Sequence, residues 1–189
     1  MTNKALPPAF YAIEREAEQL GFLLSSEPLT GRLLRTLAAS KHAARFLEIG
    51  TGAGMGTCWI LDGMDAKSTL VTIERDERVS AVARKYLGGD PRATFLSADA
   101  EPFLTQIHDV GFDFIFADTF PGKFYLLEET LGLLNPGGLY IIDDLLPQPT
   151  WEAEHPANVD RLIDELEERS DLQTLKLSWA SGLMVCTKK

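Results

Sequence analysis

Five acidic side chains follow short apolar runs that are typical of buried β-strands. They are Glu48, Glu74, Asp118, Asp143 and Asp144. The runs alternate with helical patterns, which predicts a mostly parallel sheet whose strand carboxyl ends share one edge. We therefore expect the five carboxylates to converge at that edge. There they could accept hydrogen bonds from a ligand's hydroxyl groups and balance a positive charge.

A glycine-rich loop comes directly after the first acid. Its glycines are Gly50, Gly52, Gly54 and Gly56. An apolar strand precedes the loop and an apolar helix start follows it, an order that suits a nucleotide-sized ligand. The spacing does not match G-x-G-x-x-G, because Met55 or Thr57 stands at the third glycine position. Glu48 would repel a pyrophosphate but suits a cationic ligand such as S-adenosylmethionine.

Two other interpretations of this segment stay open. Glu74 lies 24 residues after Gly50, close to the distance at which an acid binds ribose hydroxyls in dinucleotide-binding folds. An NAD-dependent oxidoreductase is therefore the alternative enzyme class, although the glycine spacing and Glu48 oppose it. A tight turn without any ligand is the other alternative.

The run Glu48-Ile-Gly-Thr-Gly-Ala-Gly54 resembles motif I of the class I S-adenosylmethionine-dependent methyltransferases. The run Leu47-Glu-Ile-Gly-Thr51, followed by Gly54, is similar to the catechol and caffeoyl-CoA O-methyltransferase branch, and the resemblance extends from about Leu29 to the C-terminus. The resemblance implies S-adenosylmethionine as cofactor. The implied cofactor-binding residues are Glu48, Gly50, Thr51, Gly52, Gly54, Glu74, Asp99, Ala100 and Asp118. A second interpretation makes Asp99 the N-cap residue of the helix that follows it.

The same resemblance implies a metal and a catalytic set. In this branch an acid after strand four and an Asp-Asn pair after strand five hold a divalent cation, and Asp118 and Asp143-Asp144 stand at these places. Their oxygens suit Mg²⁺ or a similar ion. Lys123 would act as a base or an orienting cation beside Asp118 and Asp143, although its register differs from that of the branch. The alternative is that Asp118 borders the methyl donor, while Asp143 and Asp144 cap backbone groups or position an acceptor directly, without a metal.

Composition narrows the class of protein. A length of 189 residues with 45% hydrophobic residues predicts a single domain, with N-terminal helices in residues 1–44 and the core in residues 45–189. The net charge of −10 opposes a nucleic-acid substrate. We expect no membrane span and no signal peptide, and two reduced thiols, Cys58 and Cys186, all consistent with a cytoplasmic protein. The N-terminal helices could form a homodimer face.

These observations predict a Rossmann-like fold with seven strands, one of them antiparallel, and helices on both faces. The expected elements include helices over residues 8–24 and 159–169, a turn at 135–138, a substrate loop at 145–158 and a C-terminal hairpin. The expected function is methyl transfer from S-adenosylmethionine to a small-molecule acceptor, with a hydroxyl group as the favoured acceptor. A non-catalytic S-adenosylmethionine-binding module remains an alternative.

Overall fold

A computed structural model describes residues 6–149 and 151–189 of the chain. The strands are β1 (Arg45–Ile49), β2 (Thr69–Glu74), β3 (Ala93–Ser97), β4 (Phe112–Ala117), β5 (Leu134–Ile142), β6 (Leu172–Leu177) and β7 (Leu183–Lys188). The helices are α1 (Phe10–Gln19), α2 (Pro28–Ala39), α3 (Met55–Gly63), α4 (Glu77–Leu87), α5 (Ala100–Gln106), α6 (Leu127–Gly132) and α7 (His155–Glu167). Residues 1–5 of the predicted N-terminal segment and residue 150 of the predicted loop lie outside the described residues.

The strands form one sheet in the order β3-β2-β1-β4-β5-β7-β6. The pairs among β1 to β5 are parallel, and β7 runs antiparallel to both of its neighbours. The strand order reverses between β1 and β4, so the carboxyl ends of these two strands border a crevice. The predicted sheet with one antiparallel strand is confirmed.

Helices cover both faces of the sheet, as predicted. Successive residues of a strand point to opposite faces, and β1 shows this directly. Phe46 packs with α2 and α3 side chains, including Leu34 and Ile60. Its neighbour Leu47 belongs to the opposite core, together with residues of α5, α6 and α7. Both faces of β1 are therefore buried, and its last residues are held rigidly at the crevice.

Three elements differ from the sequence prediction. Helix α1 ends at Gln19 rather than near residue 24, because Gly21 adopts a φ of 70° and leads into an extended connection. Helix α7 begins at His155, with Pro156 in its first turn, where proline loses no helical hydrogen bond; the predicted loop is therefore shorter at its C-terminal end. Residues 135–138 lie within β5, where the pairing with β4 shifts register.

Candidate active site

The glycine loop turns from β1 into α3 through three residues with positive φ. Gly50, Gly52 and Gly54 have φ values of 101°, 51° and 97°, in the region that glycine adopts at little cost. Gly54 is the N-cap residue of α3. A Cβ atom at Gly54 would lie 2.7 Å from the Cβ atom of Ala83 in α4. The loop therefore needs glycine here for both its conformation and its packing.

A cavity of about 280 Å³ lies over this loop at the carboxyl edge of the sheet. We call it the donor cavity. Its lining residues are Phe22, Leu24, Ser25, Ser26, Gly50, Thr51, Gly52, Ala53, Met55, Gly56, Glu74, Arg75, Asp76, Val79, Asp118 and Thr119. Five of the predicted cofactor-binding residues are among them, namely Gly50, Thr51, Gly52, Glu74 and Asp118.

Glu74 connects the glycine loop to the end of β2. Its Oε2 atom accepts a hydrogen bond from the backbone N–H of Gly52 at 2.9 Å, and Oε1 accepts one from the N–H of Asp76 at 2.9 Å. The side chain is only partly buried and lines the donor cavity. Each carboxylate oxygen has a further lone pair, so Glu74 can hold the loop and still accept hydrogen bonds from a ligand.

Glu48 lies behind the loop rather than in the wall of the donor cavity. The side chain is fully buried, and its Oε2 accepts hydrogen bonds from Thr57 Oγ1 at 2.5 Å and Thr72 Oγ1 at 2.6 Å. Its Oε1 has no hydrogen-bond partner among the described residues. A Cβ atom at Gly56 would lie 2.6 Å from that oxygen, so only a glycine separates Oε1 from the cavity. Burial raises the pKa of Glu48 to about 7.

This pKa predicts a pH-dependent stability for the free protein. Glu48 stays protonated in the folded chain up to about pH 7 but ionises in the unfolded chain near 4.5. The stability supplied by the protonated form is therefore present below pH 4.5 and is lost as pH rises towards 7. Glu48→Gln imitates the protonated form, so from pH 5 to pH 8 the wild type should lose about 3 kcal/mol relative to this variant. Urea unfolding at both pH values measures the difference, and a pH-independent difference would contradict the assignment.

Asp99 and Ala100 lie apart from the donor cavity lining. Asp99 is exposed and caps α5, where its side chain accepts a hydrogen bond from the N–H of Glu101 at 3.0 Å. The prediction that Asp99 is a helix N-cap residue is therefore confirmed. Gly54 also lies outside the lining, although it shapes the loop. Contacts of Asp99 and Ala100 with an adenine ring stay predictions.

A second cavity of about 430 Å³ adjoins the first. We call it the acceptor cavity. Its lining residues are Leu23, Leu24, Ser25, Ser26, Glu27, Asp118, Thr119, Phe120, Lys123, Asp143, Asp144, Gln148, Trp151, Glu152, His155 and Ser181. The two cavities share five lining residues, namely Leu24, Ser25, Ser26, Asp118 and Thr119. The strand-end acids Asp118, Asp143 and Asp144 do come together here, with Lys123 among them.

Asp118 stands at the junction of the two cavities. It follows β4, and its Oδ2 accepts a hydrogen bond from Ser26 Oγ at 3.1 Å. Burial, reinforced by the neighbouring Asp143, raises the pKa of Asp118 well above its usual range. A carboxylate in this position can influence a ligand in either cavity.

Lys123 and Asp143 form the buried end of the acceptor cavity. Lys123 is 3% exposed, and its Nζ donates a hydrogen bond to the backbone oxygen of Asp143 at 2.9 Å. Burial lowers the pKa of Lys123, and the neighbouring carboxylates oppose that shift. Asp143 Oδ1 accepts hydrogen bonds from Ser181 Oγ and, at 2.7 Å, from the N–H of Asp144. The carboxylate of Asp143 is thus held by the hairpin between β6 and β7.

Asp144 turns towards aromatic side chains. It adopts a φ of 65°, and both of its carboxylate oxygens lie 2.9 Å from Trp151 Nε1, which donates to them. The Trp151 ring stacks on His155 with centroids 4.4 Å apart. His155 Nε2 lies 3.5 Å from Asp144 Oδ2, and burial lowers the pKa of His155.

These contacts do not fit the predicted metal site. Within residues 6–149 and 151–189, no group of three His, Cys, Asp or Glu side chains is placed to hold a metal ion. The reason is local. Asp144 is hydrogen-bonded to Trp151 and Asp143 is hydrogen-bonded to Ser181, and the ammonium of Lys123 lies beside the carboxylates. The proposed ligand set Asp118, Asp143 and Asp144 therefore finds no support in the geometry.

Several residues of both cavities carry little or no signal in the sequence. Ser25 and Ser26 belong to a segment that the sequence marks only as a break, yet they border both cavities. Ser26 and Asp118 are 92 positions apart, and Ser181 and Asp143 are 38 apart. No sequence pattern signals these pairs, because they form only when the sheet edge is assembled. Arg75 directly follows Glu74 at the end of a strand, and this position is a weak indication that it lies near the site.

The fold and the two cavities define an α/β protein with a crevice at the switch point of its sheet, the place where open α/β sheets bind their ligands. Residues 47–145, just over half of the chain, match the family described as a methyltransferase domain. The chain belongs to this family, which confirms the resemblance that motif I indicated. In addition, no helix among the described residues is long and apolar enough to cross a membrane.

Individual relatives and solved structures support the assignment to this family. A provisionally named O-methyltransferase of Mycolicibacterium vanbaalenii is 32% identical over 120 residues, which cover 61% of this chain and 53% of the relative. The chain thus spans about half the length of the curated relatives it matches. The O-methyltransferase from Bacillus cereus, solved in complex with SAH, superposes with a TM-score of 0.84 at 20% identity, covering 100% of this chain and 94% of that one. TomG from Streptomyces achromogenes is an O-methyltransferase involved in tomaymycin synthesis and was solved in complex with SAM. It superposes with a TM-score of 0.82 at 22% identity, covering 100% of this chain and 92% of that one. At these identities the two structures support the fold.

Proposed function

We propose that this protein is an S-adenosylmethionine-dependent methyltransferase that acts on a hydroxyl group of a small molecule. The observation that carries the proposal is the pair of cavities that meet at Asp118 and Thr119. A donor bound over the glycine loop and an acceptor bound beside Lys123 would approach each other at this junction. Solved relatives that hold SAM or SAH support the choice of donor.

The residues of the donor cavity fit S-adenosylmethionine. Glu74 offers a carboxylate for the ribose hydroxyls, and Gly50, Thr51 and Gly52 offer a wall of backbone that a ligand can approach closely. Glu48 carries a buried oxygen without a partner among the described residues. Glu48 lies behind Gly56 and outside the cavity wall, so it would act on a bound ammonium or sulfonium group across the loop rather than by direct contact.

Methyl transfer asks the protein mainly for position and for exclusion of water. When bound, S-adenosylmethionine supplies a methyl carbon on a positively charged sulfur. The acceptor oxygen would attack that carbon, the carbon–sulfur bond would break with its electron pair left on sulfur, and the hydroxyl proton would pass to water. Holding the reacting atoms in line near contact distance removes several kcal/mol of the barrier. Asp118, Lys123 and Asp143 stand where they can orient the acceptor hydroxyl.

The aromatic side chains favour a flat acceptor. Trp151 and His155 stack on each other, and Phe120 and Phe124 meet the His155 ring edge-on at centroid distances of 5.7 Å and 5.0 Å. Phe120, Trp151 and His155 line the acceptor cavity, whose deep end is polar. We therefore favour a phenolic acceptor whose ring contacts the aromatic wall and whose hydroxyl points towards Lys123.

Calorimetric titration with S-adenosylhomocysteine and with NAD⁺ tests the donor. We expect micromolar binding of S-adenosylhomocysteine and no measurable binding of NAD⁺. Tighter binding of NAD⁺ would favour an oxidoreductase instead. Incubation with methyl-labelled donor and a panel of phenols and catechols, followed by mass spectrometry, then tests catalysis. Binding without transfer to any acceptor would favour a non-catalytic module.

We also propose that residues 1–189 act as one domain, with the N-terminal segment completing the site. Ser25 and Ser26 come from that segment and border both cavities. The homodimer, the absence of nucleic-acid binding and the cytoplasmic location stay predictions.

A further inference from the structure

The acceptor cavity holds a buried ammonium at the place where the resemblance implied a divalent cation. Lys123 is 3% exposed and lines the cavity together with Asp118, Asp143 and Asp144. Its Nζ is fixed by a 2.9 Å hydrogen bond to the backbone oxygen of Asp143 and lies 4.8 Å from the centroid of the Phe124 ring. Lys123 thus brings its own positive charge to the cluster of acids.

The carboxylates are committed to protein donors. Asp144 accepts from Trp151 Nε1 with both oxygens, Asp143 accepts from Ser181 and from a backbone N–H, and Asp118 accepts from Ser26. A divalent ion needs several oxygen ligands directed at one point. No such group exists in the described part of the chain, and a cation there would also be repelled by Lys123.

We propose that Lys123 takes the place of the divalent cation, so that methyl transfer by this protein requires no metal. The inference rests on the proposed function. An ammonium group is a compact charge with three hydrogen-bond donors, and one of these already binds the backbone oxygen of Asp143. The remaining donors can hold the acceptor oxygen and stabilise the negative charge that develops on it as its proton leaves. Charge stabilisation of this kind is often the largest single contribution to catalysis.

A metal titration tests the proposal without any acceptor. Mn²⁺ is added to the purified, chelator-treated protein with saturating S-adenosylhomocysteine, and free Mn²⁺ is followed by electron paramagnetic resonance. We expect the free-ion signal to rise with added Mn²⁺ just as it does in buffer without protein, up to about 1 mM Mn²⁺, the concentration range of weak binding. Stoichiometric binding that disappears in Asp143→Asn would overturn the proposal.

Variants of two lysines provide the second test. Lys123→Met removes the charge and keeps the length of the side chain, whereas Lys41→Met is the matched control, because Lys41 also donates to a backbone oxygen, that of Gly137, but at an exposed position. With the best acceptor from the phenol panel, we expect Lys123→Met to lower kcat at least a hundredfold, comparable to the loss of one charge-stabilising donor, roughly 10²–10³-fold. Lys41→Met should leave kcat unchanged.

Binding of S-adenosylhomocysteine separates this proposal from the proposed function. Lys123 does not line the donor cavity, so a folded Lys123→Met variant should bind S-adenosylhomocysteine like the wild type. Wild-type turnover should also survive EDTA. If the variant keeps wild-type kcat, or if EDTA abolishes turnover and Mg²⁺ restores it, the role of Lys123 is wrong while methyl transfer still stands. If neither protein binds S-adenosylhomocysteine, the proposed function itself fails.

Discussion

Replacing Asp118 with asparagine is expected to lower kcat for methyl transfer by about two orders of magnitude, within the range seen for loss of a single catalytic group. The variant keeps the shape of the side chain and removes its ability to ionise. Asp118 lines both cavities and lies beside Lys123 and Asp143. Its loss therefore changes the electrostatics at the place where donor and acceptor would meet. Steady-state kinetics with labelled donor measure the effect.

The matched control for this variant is Asp160→Asn. Asp160 is exposed on α7 and lies outside the lining of both cavities. The same substitution there should leave kcat within twofold of the wild type, roughly the effect of a neutral surface change of ±0.5 kcal/mol. Equal kcat values for Asp118→Asn and the wild type would show that the cavity junction is not the site of transfer.

Replacing Gly54 with alanine is expected to destabilise the fold by about 3 kcal/mol or more, because backbone strain and overpacking each cost roughly 1–3 kcal/mol. The φ of 97° is unfavourable for alanine. The added Cβ would also lie 2.7 Å from the Cβ of Ala83, within the helix α4 that packs against the loop. Urea unfolding gives the free energy of unfolding, and calorimetry should show weaker binding of S-adenosylhomocysteine.

Gly89→Ala makes the same chemical change where the structure has room. Apart from Gly89 itself and its two chain neighbours, no described residue has an atom within 4 Å of the position that its Cβ would take. The free energy of unfolding should therefore stay within about 0.5 kcal/mol of the wild type, as at other tolerant surface positions. Similar losses in both variants would mean that glycine flexibility, rather than the geometry of the loop, determines stability.

Much of the fold can be predicted from sequence because its signals are local. The apolar residues of β1 and β4 mark strands buried on both faces, and such strands belong to a parallel sheet covered by helices. The glycines between Glu48 and α3 mark a turn that only a few backbone conformations can make. Alternation of these signals along the chain then restricts the topology to few possibilities.

The chemistry of the site is less accessible because it depends on contacts between distant segments. Residue type and position predict that Asp118, Asp143 and Asp144 lie at one edge of the sheet. They do not predict the direction in which each carboxylate points. Asp144 turns away to Trp151 through a positive φ, which no sequence pattern announces. Glu48 is similar: its position in the sequence suggests ligand contact, whereas two threonines on neighbouring segments hold it behind the loop.

The position of β7 has a consequence for synthesis on the ribosome. β7 follows both of its neighbours in the chain, yet it lies between β5 and β6 in the sheet. β6 pairs with no other described strand, so it must wait in the nascent chain until β7 emerges. During that interval the edge of β5 is exposed, and unpaired strand edges of this kind attract chaperones or other chains. A brief period of vulnerability during translation therefore follows from the strand order alone.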